Sequence, residues 1–449
     1  MLAESNRQQP ESLVFLSAAG AADSFGIFGK FSNDNSNDLP IVQGVSTQTK
    51  GWFAHKTSDD AGKGTRGDAI RANDPTAGTS RFAVAIPERM NVDEGDRPSS
   101  HQGRTFMTPT RETLATLARH RLLTPLCKRL GLEHPVFQAG MGWVARAELA
   151  AAVSAAGGLG VIGAGSNMTA DELRREIRAV RARTDRPFGV DILFATVRAA
   201  GAEVEHYTAS VAAMVEVVLD ERVPVLISGL GSPAAVVPEA HARGIFVMSV
   251  VGAVQHAERA VADAVDAVIA SGCDGGGHVG QIGTAVLVPA VVDAVEVPVL
   301  AGGGLADGRG LAAALAFGAQ GIWMGTRFIA TYEARAHENY KKRIVATSTA
   351  GTVVTRAHSG KPCRLIRNRF TDSWVGREHE IEPYPLQAVH VGHPASERGR
   401  LEGDVENGVL PAGQSCGLVG SIVPASEVVQ QIVREAEATL DRLCRQIAT

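Results

Sequence analysis

The feature that most constrains the fold of this 449-residue chain is a repeated alternation of short apolar runs and helical stretches. Eight apolar runs of strand length, most of them ending in glycine, lie at residues 135–141, 159–165, 187–194, 223–229, 245–252, 267–272, 297–303 and 319–325. Stretches with helical periodicity lie between them, such as 145–157, 169–184 and 253–265. Strands that alternate with helices are typical of a parallel sheet. Eight such units in about 200 residues predict an α/β fold, a compact TIM (β/α)8 barrel.

An open doubly wound sheet is the competing fold. It would carry a G-x-G-x-x-G turn after its first strand, followed by an acidic residue. The first apolar run instead ends in QAGMGWV, without that pattern, which favours the barrel. Within the second helical stretch, Thr169 is placed to cap the helix, and Glu172 is placed as its capping-box partner.

Composition narrows the class of protein. The chain is 45% hydrophobic and only 5% aromatic, with 49 glycines, which suits buried parallel strands and closely packed helices. A net charge of −4 gives no electrostatic case for a nucleic-acid partner. No apolar run reaches the roughly 18 residues that predict a membrane span. The five cysteines show no metal-site spacing, so we expect reduced thiols in a cytoplasmic protein without a metal site.

The chain divides unevenly into three parts. Residues 1–106 show no sustained periodicity and are crowded with Asn, Asp, Ser, Thr and Gly. This composition predicts a disordered extension, or translated sequence upstream of a true start at Met107. Residues 107–333 are predicted to form the barrel. Residues 334–449 are predicted to form a helical and irregular C-terminal subdomain, which ends in an amphipathic helix from about residue 425 to 447.

A candidate site follows from the barrel. His278 comes directly after three glycines that follow the sixth strand, where a ligand could approach the backbone beside a proton acceptor. In TIM barrels the loops after strands seven and eight commonly hold a phosphate. Gly303, Gly304, Gly325 and Thr326 lie in those loops, and we expect them to bind a phosphoryl group through backbone NH groups and the Thr326 hydroxyl.

Five segments together resemble a known family. These are HPVFQAGMGWVARAELAAAVSAAGGLGVIGAG, PFGVDILF, GCDGGGHVGQIG, PVLAGGGLADGRGLAAALAFGAQGIWMGTRF and GQSCGLVGSIVPASEVV. They resemble the FMN-dependent nitronate monooxygenases, formerly called 2-nitropropane dioxygenases, which are related to the flavin-dependent type II enoyl-ACP reductases. The resemblance covers roughly residues 122–443 and implies FMN as the cofactor.

The resemblance also implies roles for particular residues. His278 would be the catalytic base. Two groups of residues would bind the cofactor. Near the flavin would lie Gly140 and Met141, which are under the ring, and Asp191, Ser271 and Gly276; at the phosphate would lie Gly303, Gly304, Trp323, Met324, Gly325 and Thr326. Two residues depart from the family pattern. Asp191 lies where the family usually has Asn, and Ser271 where the monooxygenases often have Gln. A carboxylate near the flavin would disfavour an anionic reduced flavin unless it were protonated or bonded to a donor.

The reaction implied is oxidation of alkyl nitronates with O2 to carbonyl compounds and nitrite. Where a neutral nitroalkane is used, His278 would take its acidic proton. One alternative is an NAD(P)H-dependent flavin reductase of enoyl or other acyl thioesters, with NAD(P)H as co-substrate. A third, of another class, is a barrel that binds a phosphoryl ligand without turnover. The sequence leaves open a homo-oligomer.

The C-terminal segment carries two further expectations. Its basic cluster, Lys361, Arg364, Arg367 and Arg369, either meets an anionic substrate such as a CoA phosphate or forms a solvated face. In the family this region packs over the active-site mouth, so residues 414–417 would help to close it.

Overall fold

The structure is a computed structural model that describes residues 122–165, 168–194, 196–197 and 206–447. The predictions for residues 1–106 lie outside the described residues. The strands are β1 Val136–Gln138, β2 Gly160–Ala164, β3 Phe188–Leu193, β4 Thr196–Val197, β5 His206–Tyr207, β6 Val225–Leu230, β7 Phe246–Val251, β8 Ala267–Ser271, β9 Gly277–His278, β10 Val299–Gly302, β11 Ile322–Met324, β12 Thr352–Thr355 and β13 Cys363–Ile366. The α-helices are α1 Pro125–Leu130, α2 Ala147–Ala155, α3 Ala170–Arg181, α4 Ala209–Asp220, α5 Val237–Ala242, α6 Val254–Ala262, α7 Thr284–Ala294, α8 Gly308–Ala316, α9 Thr326–Ile329, α10 Glu338–Ala346, α11 Arg369–Asp372, α12 His393–Arg400 and α13 Ala425–Ile447.

Eight parallel strands form a ring. Their order is β1-β11-β10-β8-β7-β6-β3-β2, and a parallel bridge between Phe137 and Leu159 joins the two ends. Each strand lies within one of the eight apolar runs of the sequence, apart from β6, which extends one residue further to Leu230. The TIM-barrel prediction is therefore confirmed.

Successive side chains along a barrel strand point to opposite faces of the sheet, and they form two apolar layers. Val225 and Ile227 belong to the cluster inside the ring, whereas Leu226 between them packs in the layer under the helices. This is the period-two pattern expected of a barrel strand. Leu126 of α1 joins the inner cluster from the end of the barrel where the strands begin, so the interior is filled with side chains and is not a channel.

The predicted helix cap is confirmed. The Thr169 hydroxyl oxygen accepts a hydrogen bond from the Glu172 backbone N–H at 3.2 Å, and Glu172 Oε2 accepts one from the Thr169 N–H at 2.8 Å. This reciprocal pair satisfies two of the donors that a helix start leaves open. It fixes where α3 begins, one residue after Thr169.

The chain after β11 first lies over the cavity and then returns to the barrel as α13. The part from α10 to the start of α13, residues 338–424, is called the cover. β13 pairs antiparallel with both β12 and β9, so β9, which carries His278, is held in a small three-stranded sheet. The last helix, α13, packs against α8 and α2 on the outside of the barrel. Part of residues 334–449 thus lies in the barrel wall, and part lies near the strand ends.

Within the described residues, no helix is both long and apolar enough to cross a membrane. All five cysteines are free thiols.

Candidate functional site

A cavity of about 540 Å³ lies at the carboxyl ends of the strands, under the C-terminal segment. The residues predicted from sequence all line it: Gly140, Met141, Asp191, Ser271, Gly276, His278, Gly303, Gly304, Trp323, Met324, Gly325 and Thr326. Carboxyl ends of parallel strands converge on one rim, which explains how residues so distant in sequence meet. The roles assigned to them stay predictions.

The turn after β10 is shaped by glycine. Gly303 has a φ of +95°, and a Cβ there would lie 2.8 Å from Thr284 Oγ1, so a larger residue would be strained and crowded. Gly302 pairs with Trp323, which places this turn beside the start of α9. Thr326 Oγ1 accepts a hydrogen bond from the Gly413 N–H at 2.9 Å, so its own proton remains available to donate.

Asp191 lies at the base of the cavity against Gly140 and Gly229. A Cβ at either glycine would collide with the Asp191 side chain. Asp191 is buried, and its Oδ1 has no hydrogen-bond partner among the described residues. Burial raises the pKa of this carboxyl well above its usual range, although the Gly229 backbone N–H opposes the shift. A protonated Asp191 can both donate and accept a hydrogen bond, as an Asn can.

His278 forms part of the cavity wall. His278 pairs with Cys363 in the β9–β13 ladder, and the Nε2 atom of His278 lies 2.7 Å from Ser359 Oγ. The side chain is exposed to the cavity although it lies deep in the molecule. Desolvation, followed by the positive charges of Lys361 and Arg400, lowers the pKa of His278 to about 4. The imidazole is therefore neutral at neutral pH.

More cationic than acidic side chains lie in or beside the cavity. Arg400, at the end of α12, is buried in its wall, and Asp191 is the single acidic side chain lining it in the part of the chain that the structure describes. Lys361 lies nearby, with Nζ 4.3 Å from the centre of the Tyr384 ring. The histidine next to His278, His358, also has a pKa well below its usual range because it is buried. This balance favours an anionic ligand.

Sequence reasoning missed several cavity residues of the C-terminal segment: Tyr340, His358, Ser359, Tyr384, His393 and Arg400. No motif marks them; the basic cluster around Lys361 and the prediction for residues 414–417, of which Ser415 lines the cavity, pointed only to the region. That cluster divides in the structure. Arg364 donates to the Cys273 carbonyl at 2.8 Å, and Arg367 forms an exposed ion pair with Asp372. Only Lys361 of that cluster lies close enough to His278 to shift its pKa.

The residues present fit a flat, phosphorylated cofactor. Glycines leave backbone exposed along the cavity, the Gly303 turn adjoins Thr326, and the unsatisfied Asp191 Oδ1 awaits a polar partner. The described residues contain no group of three or more His, Cys, Asp or Glu side chains arranged to hold a metal ion.

Comparison with known proteins identifies the family. The nitronate monooxygenase family profile matches residues 124–435. The chain belongs to the nitronate monooxygenase family. A nitronate monooxygenase of Paraburkholderia phytofirmans is 34% identical over 365 residues, covering 73% of this chain and 98% of that protein.

Two other relatives carry different names. A (3aS,4S,5R,7aS)-5-hydroxy-7a-methyl-1-oxo-octahydro-1H-indene-4-carboxyl-CoA dehydrogenase of Mycobacterium tuberculosis is 35% identical, covering 70% of this chain and 96% of that protein. The structure of FabK from Thermotoga maritima is 39% identical with a TM-score of 0.65, covering 72% of this chain and 99% of that one. Membership of this nitronate monooxygenase family supports an oxidoreductase with a flavin cofactor.

Proposed function

We propose that this nitronate monooxygenase family member uses FMN and O2 to oxidise alkyl nitronates to carbonyl compounds and nitrite. The observation that carries the proposal is the placement of His278 in the wall of a glycine-lined cavity near Arg400, a buried cation that has no carboxylate within ion-pair distance in the part of the chain that the structure describes. Bound FMN would supply the electron-accepting chemistry. The chain's own residues would bind and orient the substrate.

The low pKa of His278 favours the nitronate over the neutral nitroalkane. A nitroalkane must lose a proton before oxidation, and a general base works best with a pKa near the working pH. An imidazole with a pKa of about 4 is a weak base at pH 7. A nitronate has already lost its proton and carries the negative charge that the cavity favours. His278 would then mainly position the substrate and act slowly as the base for nitroalkanes.

The cofactor would be held by the residues predicted for it. Gly303, Gly304, Gly325 and Thr326 would bind the phosphate, while Gly140, Met141 and Gly276 would lie along the flavin. Asp191, whose pKa is raised by burial, would replace the usual Asn by offering a neutral hydrogen-bonding group when it is protonated. This removes the objection that a carboxylate would disfavour an anionic reduced flavin.

Anaerobic stopped-flow absorbance tests the proposal. The yellow holoprotein is mixed with propyl-1-nitronate or with NADH or NADPH, and the flavin band is followed. We expect bleaching by the nitronate, nitrite release when O2 is admitted, and no rapid bleaching by either nicotinamide. Reduction by NADPH with none by the nitronate would overturn the proposal. His278→Asn should slow turnover of nitropropane more than that of its nitronate, because only the former needs a base.

A second candidate is oxidoreduction of an acyl-CoA thioester with NAD(P)H as co-substrate. It is favoured by the relative named as a carboxyl-CoA dehydrogenase and by Lys361, a cation beside the cavity that could meet a CoA phosphate. Crotonyl-CoA added to the holoprotein with NADPH tests it, with NADPH consumption as the readout. Consumption that depends on crotonyl-CoA would favour this reaction over nitronate oxidation. The alternative of a barrel without turnover gives way to an enzyme, since the family is one of oxidoreductases.

A further inference from the structure

Arg400 connects the cover to the barrel from inside the cavity. It is 9% exposed. Its Nη1 donates to the Gly142 carbonyl, just beyond β1, at 3.0 Å, and its Nε donates to the Val409 carbonyl at 3.5 Å. Carbonyl oxygens orient the guanidinium without cancelling its charge.

Within the part of the chain that the structure describes, no acid neutralises the charge of Arg400. Among the described residues, no carboxylate lies within ion-pair distance of Arg400, and burial raises the pKa of the one acid in the cavity wall, Asp191, which disfavours its charged form. Burial lowers the pKa of Arg400, but a guanidinium starts so high that it stays charged. A buried charge without a partner is strongly unfavourable, so this position calls for an anion from outside the chain.

The neighbours of Arg400 remain neutral. Its positive charge is among the causes that lower the pKa values of His278, His358 and His393, after desolvation. The rings of His278 and His358 lie 5.9 Å apart. The cavity end near Arg400 therefore combines a buried cation with neutral rings, and Lys361 is a second cation close to His278. Of the two cations, only the planar guanidinium matches an anion with two coplanar oxygens.

We propose that Arg400 is the substrate-binding residue of this cavity and receives a planar monoanion with two oxygens, a nitronate or a carboxylate. The inference deepens the proposed function, because it takes the substrate to occupy this cavity. It does not depend on which reaction follows.

Isothermal titration calorimetry on the holoprotein tests the inference without turnover. Sodium butyrate is the anionic probe, and butyramide is its uncharged match. We expect butyrate to bind at least about 10-fold more tightly than butyramide, as hydrogen bonds to a charged group imply. Arg400→Met should remove that difference, and Arg400→Lys should restore part of it, since it keeps the charge and loses the fork.

Arg343→Met is the matched control. Like Arg400, Arg343 donates to a backbone carbonyl, that of Arg367. Unlike Arg400, it has an ion pair, with Glu406, and it does not line the cavity. This variant should leave butyrate binding unchanged. Equal binding of butyrate and butyramide by the unaltered protein would overturn the inference, even if Arg400→Met failed to fold. So would release of flavin by butyrate, because the anion would then occupy the phosphate position.

The two proposals fail separately. If the unaltered protein does not oxidise the nitronate but still binds butyrate more tightly than butyramide, the proposed function is wrong and Arg400 remains the anion-binding residue. If Arg400→Met leaves nitronate turnover unaffected and the protein binds butyrate no more tightly than butyramide, the proposed function stands and the anion-binding role of Arg400 is wrong.

Discussion

Ser359 Oγ lies 2.7 Å from His278 Nε2, and this hydrogen bond joins the cover of the cavity to the loop after the sixth barrel strand. The two residues are 81 positions apart in the chain. Ser359 is 1% exposed, so its hydroxyl has little access to water. The contact holds the imidazole ring in place, and the Ser359 hydroxyl can either donate to or accept from Nε2.

We therefore expect Ser359→Ala to lower kcat/KM by roughly 10-fold, the loss that a hydrogen bond of about 1 kcal/mol or slightly more implies. Steady-state nitrite release measures the effect. Thr355→Ala is the control, because Thr355 Oγ1 accepts from the Ala357 N–H in the same segment without touching His278. Equal losses in both variants would mean that the segment matters only for stability.

A second prediction concerns the pH dependence that His278 gives to stability. Its pKa is about 4 in the folded protein and about 6.5 when unfolded, so the unfolded chain binds the proton more readily between those values. The stabilisation is complete above about pH 6.5 and is lost as the pH falls toward 4. The urea midpoint should therefore fall more between pH 7 and 4.5 in the unaltered protein than in His278→Gln. His358 and His393 contribute in both, so the difference reports His278 together with its effect on the pKa of His358. Parallel curves would contradict the low pKa.

The pH dependence of stability that comes from Asp191 should have the opposite sign to that from His278. Its folded pKa is raised above the unfolded value near 3.8, so the stability it contributes is present below pH 3.8 and is lost as the pH rises. Asp191→Asn keeps the shape without the acid and should raise the free energy of unfolding at pH 7, by on the order of 1 kcal/mol. Chemical denaturation at pH 5 and pH 8 measures this, and the gain should be larger at pH 8. Asp372→Asn, in an exposed ion pair, should show no such gain.

Gly303→Ala should weaken cofactor binding and stability together. Its φ of +95° disfavours any larger residue, and the new Cβ would crowd Thr284. We expect a loss of about 1–3 kcal/mol, measured by thermal unfolding, and a lower flavin content after dialysis. Gly244→Ala is a matched control, since it also has a positive φ, +74°, with open space around it and no place in the cavity. It should lose stability but keep the flavin. Full flavin content in Gly303→Ala would argue against a phosphate at this turn.

The sequence predicted the barrel well because its signal is local. Each strand is a short apolar run, and each carboxyl end can be read from the residues that follow, so glycines 303 and 304 and His278 could be placed on one rim. The cap at Thr169 is also local, since its partner is three residues away.

The cover could not be predicted in the same way. Arg400 reaches Gly142 across 258 positions, and no periodicity or motif records that contact. Pairing of β13 with β9 is similarly non-local. The basic cluster pointed to the right segment, but charge alone did not distinguish Lys361 from Arg367, whose partner is simply Asp372 on the surface.

The last helix has a consequence for how the molecule is assembled. α13 packs between α8 and α2. The cover over the cavity is therefore an insertion that is connected to the barrel at both ends. The barrel wall cannot close during synthesis until α13 has been made. Contacts so distant in sequence form late, so the pocket and the outer shell should become complete in the same step.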